Sequence, residues 1–285
     1  MKILVTGING QVGHALMQNL TDHELIGLTR QDCDLTNPDQ IKQVIDQHQP
    51  ELIINPAAYT KVDQAEGEAE LAFQINRDAP RVMAEKAREY NIPIIHFSTD
   101  YVFDGQKELP YAEEDLPNPL CIYGQSKLAG EEAIKEVDSQ YYIFRTSWVY
   151  SSIGHNFYLN IKRKIGEQDE LRVVNDQFGV PTSSLFIAKQ IKIMMPKLLN
   201  ENKGTYHLVP NGCCTWFDFA MAILNTSKLD QSEKKIIPVT SEEYTIKAKR
   251  PSNSCLSNDK IQNAFMLKFN DWNSVFLESF KNINE

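Results

Sequence analysis

Apolar positions along the first hundred residues switch between two periods. Lys2-Ile3-Leu4-Val5-Thr6 is a short apolar run that reads as a buried strand, and Gly7-Ile8-Asn9-Gly10-Gln11-Val12-Gly13 follows at once. His14 to Leu20 then takes helical spacing, with Leu16 and Leu20 four apart. The pattern repeats: strands at Leu25–Thr29, Leu52–Asn55 and Pro93–Ser98, and helices over Asp39–Gln49, near Glu68–Asn76 and across Ala79–Asn91. Strands alternating with helices at this rhythm predict an α/β fold, a Rossmann-type doubly wound parallel sheet. Such sheets bind ligands beyond the carboxyl ends of their strands.

From Val149 onward the pattern is less regular. Helices are expected over Asn156–Gln168 and Ser183–Leu199, and strands at Gly204–Val209 and Ile236–Val239. Thr215, with Asp218 three residues on, reads as a capped helix start. These elements predict a smaller mixed α/β lobe over 150–285 beside a dinucleotide-binding domain over 1–149, with at least one crossing back into the sheet.

The first loop carries the most specific local signal. Three glycines stand between a strand and a helix, the setting a dinucleotide fingerprint requires, although their spacing is G-x-x-G-x-x-G. Gly7 permits a tight turn, Gly10 lets the backbone approach a diphosphate, and Gly13 lets the helix pack closely. The N–H groups of the first helical turn then face an anion. After the second strand, where many such folds carry an acid for the adenosine ribose, this chain has Arg30, which can pair with a 2′-phosphate. NADPH is therefore expected, with NADH as the second option; a solvated surface arginine is the competing interpretation of Arg30. Asp34 and Leu35 are candidates to flank the adenine. Ala57, Ala58, Tyr59 and Thr60 leave the third strand with small residues that let the chain pass close to a cofactor.

Beyond the fourth strand lie Ser98-Thr99-Asp100-Tyr101, then a proline-containing polar loop, then Tyr123-Gly124-Gln125-Ser126-Lys127. Read as a helix, this places Tyr123 and Lys127 on one face. Reducing a carbonyl needs hydride at carbon and a proton at oxygen. A phenol holds its proton at neutral pH, and a nearby ammonium stabilises the phenolate left behind. Thr99, from the neighbouring strand end, is placed to hydrogen-bond the same carbonyl oxygen. Tyr-x-x-x-Lys alone arises often by chance; behind a glycine turn and a Ser/Thr strand end it points to catalysis.

Bulk properties narrow the class. A net charge of −9 over 285 residues argues against a general nucleic-acid or anionic-membrane binder. No apolar segment approaches bilayer length, and Met1-Lys2 runs directly into a strand, so a cytoplasmic enzyme is expected. The five cysteines are odd in number and show no C-x-x-C, so reduced thiols are expected rather than a disulfide framework or zinc site.

Longer motifs add to this. Asn55-x-Ala57-Ala58-x-Thr60-x-Val62-Asp63-x-Ala65-Glu66, Ser98 to Gly105, Tyr123 to Glu131, Phe144 to Tyr150 and Asn175 to Thr182 together resemble the dTDP-4-dehydrorhamnose reductase family of extended short-chain dehydrogenase/reductases. The resemblance covers essentially the whole chain. It implies reduction of the C4 ketone of dTDP-4-dehydro-β-L-rhamnose by a nicotinamide cofactor. Tyr123 would be the proton donor, Lys127 its partner and a ribose ligand, and Thr99 a second donor to the oxygen. Gly10, Gln11 and Val12 would hold the diphosphate; Thr99, Asp100, Tyr101 and Trp148 would contact the sugar. Arg250 is a candidate cation for the substrate diphosphate, with a surface-loop arginine as the alternative. Some members dimerise through a glutamate-built magnesium site; Ala15 holds one of those places here, so no metal is expected and the chain is read as monomer or homodimer. Two other functions stay open: a nucleotide-sugar epimerase or dehydratase, disfavoured because Tyr101 rather than Glu follows Asp100, and a non-catalytic NADP-binding subunit resembling the methionine adenosyltransferase β subunit.

Overall fold

The computed structural model, described over residues 1–198, 203–227, 234–243 and 247–283, starts with β1 (Lys2–Thr6), α1 (Gln11–Asn19), β2 (Glu24–Leu28), α2 (Pro38–His48) and β3 (Leu52–Asn55). Next come α3 (Val62–Ala65) and α4 (Ala69–Phe73), a π-helical turn (Gln74–Asp78), α5 (Ala79–Glu89), β4 (Ile94–Thr99), α6 (Ile122–Val137) and β5 (Tyr141–Thr146). The remainder comprises β6 (Val149–Tyr150), α7 (Phe157–Glu167), β7 (Glu170–Val174), β8 (Phe178–Gly179), β9 (Thr182–Ser183), α8 (Ser184–Leu198), β10 (Gly204–His207), β11 (Cys214–Thr215), α9 (Trp216–Thr226), β12 (Lys235–Val239), α10 (Asp259–Phe265) and α11 (Trp272–Ile283). Leu199, the last residue of one expected helix, lies outside the described residues.

Six strands form one parallel sheet in the order β2-β1-β3-β4-β5-β10. The order reverses between β1 and β3, which opens a crevice above their carboxyl ends. β10 lies beside β5 although more than fifty residues separate them in the chain.

Alternation along the strands gives the sheet two apolar faces. Ile3, Val5, Ile54, Ile95 and Phe144 pack against Leu16 of α1 and Ile187, Ile191 and Met194 of α8. Leu4, Ile53, Ile94 and Ile143 pack against Ile41 and Ile45 of α2, Met83 of α5 and Ile134 of α6. A separate core in the later part of the chain joins Tyr158 and Ile161 of α7, Leu171 and Val173 of β7, Phe219 and Ile223 of α9, and Phe276 of α11. There β7 and β12 pair in parallel.

Two expectations are corrected. The helices near Glu68–Asn76 and Ala79–Asn91 run into one another through the π turn rather than separating. Pro80 sits in the first turn of α5 and has no N–H to give the Asn76 carbonyl four residues back. That carbonyl lies instead against Gly130 of α6, where any Cβ would strike it. The second correction concerns the thiols. Cys213 is joined to Cys255 by a disulfide with Cα atoms 5.9 Å apart, and Cys33, Cys121 and Cys214 remain buried thiols. The reason lies in tertiary pairing: β11 pairs antiparallel with β8, and the segment through Asn253 and Ser254 also bonds to Phe178 of β8. Two cysteines 42 residues apart are thereby brought to one strand.

Candidate active site

The glycine turn follows from steric demand. Gly7 has φ +60°, and a Cβ on it would lie 2.9 Å from the Ala57 Cβ. A Cβ on Gly13 would strike the Gly7 carbonyl, so α1 can seat on the turn only with glycine there. Gly10 occupies the N-cap and donates its N–H to the Gly7 carbonyl at 2.9 Å; Gln11, Val12 and Gly13 form the first turn of α1. The Gln11 side chain is committed elsewhere, accepting from Ser151 Oγ and Asn156 Nδ2, each at 2.9 Å. It thereby ties the glycine turn to the start of α7.

Beside this turn runs a cleft of about 410 Å³ lined by Thr6, Gly7, Arg30, Asp34, Leu35 and Ala57 to Thr60, among others. Arg30 is exposed at its border. Asp34 uses its carboxylate to hold the Thr36 N–H and hydroxyl, and these bonds keep its pKa below the usual range. Tyr59 turns away from solvent: its hydroxyl donates to Glu68 at 2.7 Å and its N–H to Asn76 Oδ1 at 2.8 Å. Burial, then the Glu68 bond, push its phenol up to about 12. A cradle that admits no side chain, a cleft continuing from it and a cation at the rim fit a dinucleotide bearing a 2′-phosphate.

Thr99 ends β4 and caps the short turn Asp100–Val102 by accepting from the Tyr101 N–H at 3.2 Å. The Tyr123 phenol, near the start of α6, lies beside the Thr99 hydroxyl. Burial raises the Tyr123 pKa, with Asp100 adding to that and the Thr99 hydroxyl opposing it. Tyr101 meets the Tyr123 ring edge-on, with centroids 5.7 Å apart. One helical turn on, Lys127 is buried and donates to the Phe97 carbonyl at 2.6 Å. Burial pulls its pKa down to about 8, opposed by Glu131. Gly124 has no room for a Cβ against the Tyr101 carbonyl, so α6 approaches the end of β4 this closely only with glycine there.

Asp100 is buried and accepts hydrogen bonds from the hydroxyls of Thr99 (3.0 Å) and Ser147 (3.1 Å). Burial pushes it up to about 6 against those bonds. Trp148 has a left-handed backbone, φ +46°, and stacks face to face on Trp216 at 3.4 Å between centroids. Gly179 lies beneath Trp148 with no space for a side chain. Arg250 donates to Asp63 Oδ2 at 3.3 Å and borders a second cleft of about 420 Å³. Phe157, Asn160, Lys164, Gln177 and Trp216 also line it.

The structure thus brings Thr99, Asp100, Tyr101, Tyr123 and Lys127 together at the end of β4, with Trp148 and Arg250 towards the later part of the chain. Sequence reasoning missed the Trp216 partner of Trp148 and the Phe157 and Lys164 walls, since no local spacing joins them. It also missed Glu131, which is buried on α6 and accepts from Arg145 Nε (2.9 Å), Arg145 Nη2 (2.7 Å) and Ser98 Oγ (2.5 Å).

Known proteins share this arrangement. The family model described as the RmlD substrate binding domain matches residues 1–284. A dTDP-4-dehydrorhamnose reductase of Aggregatibacter actinomycetemcomitans is 39% identical over 280 residues, 95% of each chain. That of Escherichia coli (strain K12) is 38% identical over 282 residues, 95% of this chain and 94% of its own. The crystal structure of the dTDP-4-dehydrorhamnose reductase from Bacillus anthracis in complex with NADP superposes with a TM-score of 0.93 at 35% identity over 99% of both chains. A UDP-glucose 4-epimerase from Thermus thermophilus, 16% identical, shares the fold alone, with a TM-score of 0.78. From the strand order, the phenol at the end of β4 and these likenesses together, the chain belongs to the RmlD family, the dTDP-4-dehydrorhamnose reductases.

Proposed function

We propose that the protein reduces the C4 ketone of dTDP-4-dehydro-β-L-rhamnose to the alcohol of dTDP-L-rhamnose, the last step in making that sugar nucleotide, with NADPH as donor and NADH as the second choice. The observation that carries this reading is the Tyr123 phenol set beside Thr99 above the end of β4, with Lys127 one turn along the same helix. Bound along the glycine turn, the cofactor supplies the hydride. Tyr123 holds its proton through neutral pH and gives it from Oη to the oxygen that was the ketone; the Thr99 hydroxyl turns from Asp100 to donate to the same oxygen. The Lys127 ammonium stabilises the phenolate until it regains a proton from solvent. Gly7, Gly10, Gln11, Val12 and Gly13 hold the diphosphate of the cofactor, Arg30 its 2′-phosphate, and Ala57 to Thr60 flank it. Asp100, Tyr101 and Trp148 orient the sugar.

In this reading residues 1–149 bind the cofactor and 150–285 cover the sugar nucleotide, crossing back into the sheet on the way. The second cleft, apolar at Phe157 and Trp216 and cationic at Lys164 and Arg250, suits a base followed by a diphosphate. The enzyme acts in the cytoplasm as a monomer or homodimer, without metal, nucleic acid or membrane. None of the described helices is long and apolar enough to cross a membrane. The test is NADPH oxidation with the keto sugar, parent against Tyr123→Phe. The variant should lose on the order of 10²–10⁴-fold in kcat. Full activity in the variant overturns the mechanism, and an inactive parent overturns the reductase assignment.

A further inference from the structure

Beneath Lys127 lies a string of buried polar side chains to which the roles above give no part. Lys127 Nζ lies 3.2 Å from His96 Nε2, His96 Nδ1 lies 3.1 Å from Asn55 Nδ2, and Asn55 Oδ1 accepts from Thr6 Oγ1 at 2.6 Å. Exposure is 2% for Thr6, nil for Asn55, 1% for His96 and 2% for Lys127. Thr6, Asn55 and His96 stand on three adjacent strands, β1, β3 and β4, and Asn55 is the register partner of His96. Thr6 lines the cofactor cleft. The string therefore runs under the floor of the site, from the cofactor side to the lysine.

We propose that His96 is a positioning residue for Lys127: neutral, and held by the Asn55–Thr6 pair, it accepts one ammonium N–H through Nε2 and so helps keep the lysine charged and aimed. This rests on the role given to Lys127 above. The chemistry is restrictive. An ammonium offers three donors and no acceptor. One goes to the Phe97 carbonyl, a second reaches His96, and the third stays available to the phenol or the cofactor ribose. Nε2 can accept only if it is bare, which places the single imidazole proton on Nδ1, facing the Asn55 amide. That amide has two ends. With its oxygen towards Nδ1–H and its nitrogen towards Thr6 Oγ1, both imidazole nitrogens are satisfied and the lysine is an ammonium. With its nitrogen towards Nδ1, as the structure has it, Nε2 keeps the proton and suits an uncharged amine. The direction of the string and the charge on Lys127 change together.

The surrounding charges are consistent with this coupling. Burial drives the His96 pKa well below its ordinary value, with Lys127 adding to that, so the ring stays neutral. Lys127 meets His96 and the Phe97 carbonyl of β4 and feels the charge of Glu131 on its own helix, where Tyr123 stands one turn earlier. Arg145 of β5 is paired with Glu131.

The experiment uses two substitutions that divide the imidazole between them. His96→Gln keeps a polar atom where Nε2 was; His96→Asn keeps one only where Nδ1 was. The readout is the pH profile of kcat/KM for NADPH oxidation by the full chain. His96→Asn should move the alkaline limb down by about one pH unit, the size of one hydrogen bond to a charged group, and His96→Gln should leave it in place. A His96→Asn profile that superposes on the parent, or an equal shift in both variants, overturns the proposal. A second readout needs no turnover: long-range proton–nitrogen spectra of the histidine-labelled parent. Below the Lys127 titration near pH 8, the His96 proton should sit on Nδ1 and Nε2 should be bare. A proton fixed on Nε2 throughout overturns the proposal, even if His96→Asn fails to fold. A parent that does not oxidise NADPH with the keto sugar refutes the reductase reading, and the spectra still decide the role of His96.

Discussion

Glu131 offers the sharpest test of how the site is held in place. It is one helical turn beyond Lys127 on α6, fully buried, and it accepts two bonds from Arg145 of β5 and one from Ser98 of β4. Lys135 lies 3.5 Å away at the more exposed edge. This cluster pins the helix carrying Tyr123 and Lys127 to the two strands beneath it. Glu131→Gln keeps the shape, removes the charge and turns an amide N–H₂ towards Arg145. Breaking a buried pair from one side costs about 3–5 kcal/mol, because the remaining charge is buried and uncompensated. For a chain of this size that lowers Tm by about 6–20 °C, at about 2–4 °C per kcal/mol. Removing both charges with Glu131→Met and Arg145→Met should recover most of the loss, since no orphan ion remains. Burial opposes ionisation of Glu131, but Arg145 outweighs it and the folded pKa is lowered. The stability it contributes is therefore present above the unfolded carboxylate value and lost as pH falls through the lower folded one. Thermal and urea melts of parent, single and double variants at neutral and acid pH measure all of this. A Glu131→Gln loss under about 1 kcal/mol, the range of an exposed pair, or a double variant no better than the single, would refute the reasoning.

Other outcomes follow from the same geometry. Arg30→Ala should raise KM for NADPH on the order of tenfold and spare NADH, as expected for losing one charge-assisted bond; steady-state kinetics with both cofactors checks it, and equal effects exclude the 2′-phosphate contact. Asp100 has a folded pKa raised from 3.8 to about 6, so its contribution is present below the unfolded value and lost as pH rises through the folded one. Asp100→Asn should remove a pH-dependent stability change of roughly 2 kcal/mol between pH 4 and 7, read from urea midpoints. Thiol titration of the unfolded, unreduced protein should find three thiols, those of Cys33, Cys121 and Cys214, and five after reduction.

What the sequence revealed depended on the range of each interaction. β1, the glycine turn and α1 are adjacent in the chain, and each reports itself: an apolar run, three glycines, a four-residue repeat. Likewise Thr215 caps the helix that its position predicts, with the reciprocal Asp218 bond. The spacing of Tyr123 and Lys127 could be read because both stand on one helix. His96 could not, since a histidine inside an apolar strand leaves no periodic trace; its meaning comes from Asn55 on the neighbouring strand. Trp216 stacks on a tryptophan 68 positions earlier, and Cys213 meets Cys255 only because β8 receives both segments. The π turn was hidden for a related reason: the carbonyl that Pro80 leaves unbonded is covered by Gly130 from another helix.

The Trp148–Trp216 pair gives the protein an internal optical gauge. The chain has three tryptophans, and two are in ring-to-ring contact, one at the exit of the sheet and the other at the head of α9. Their emission is coupled as long as the rings lie flat on each other. Any hinge between sheet and lobe that parts the rings, and any guest that slides in beside them, changes the glow of the native molecule, so lobe movement can be timed without attaching a dye.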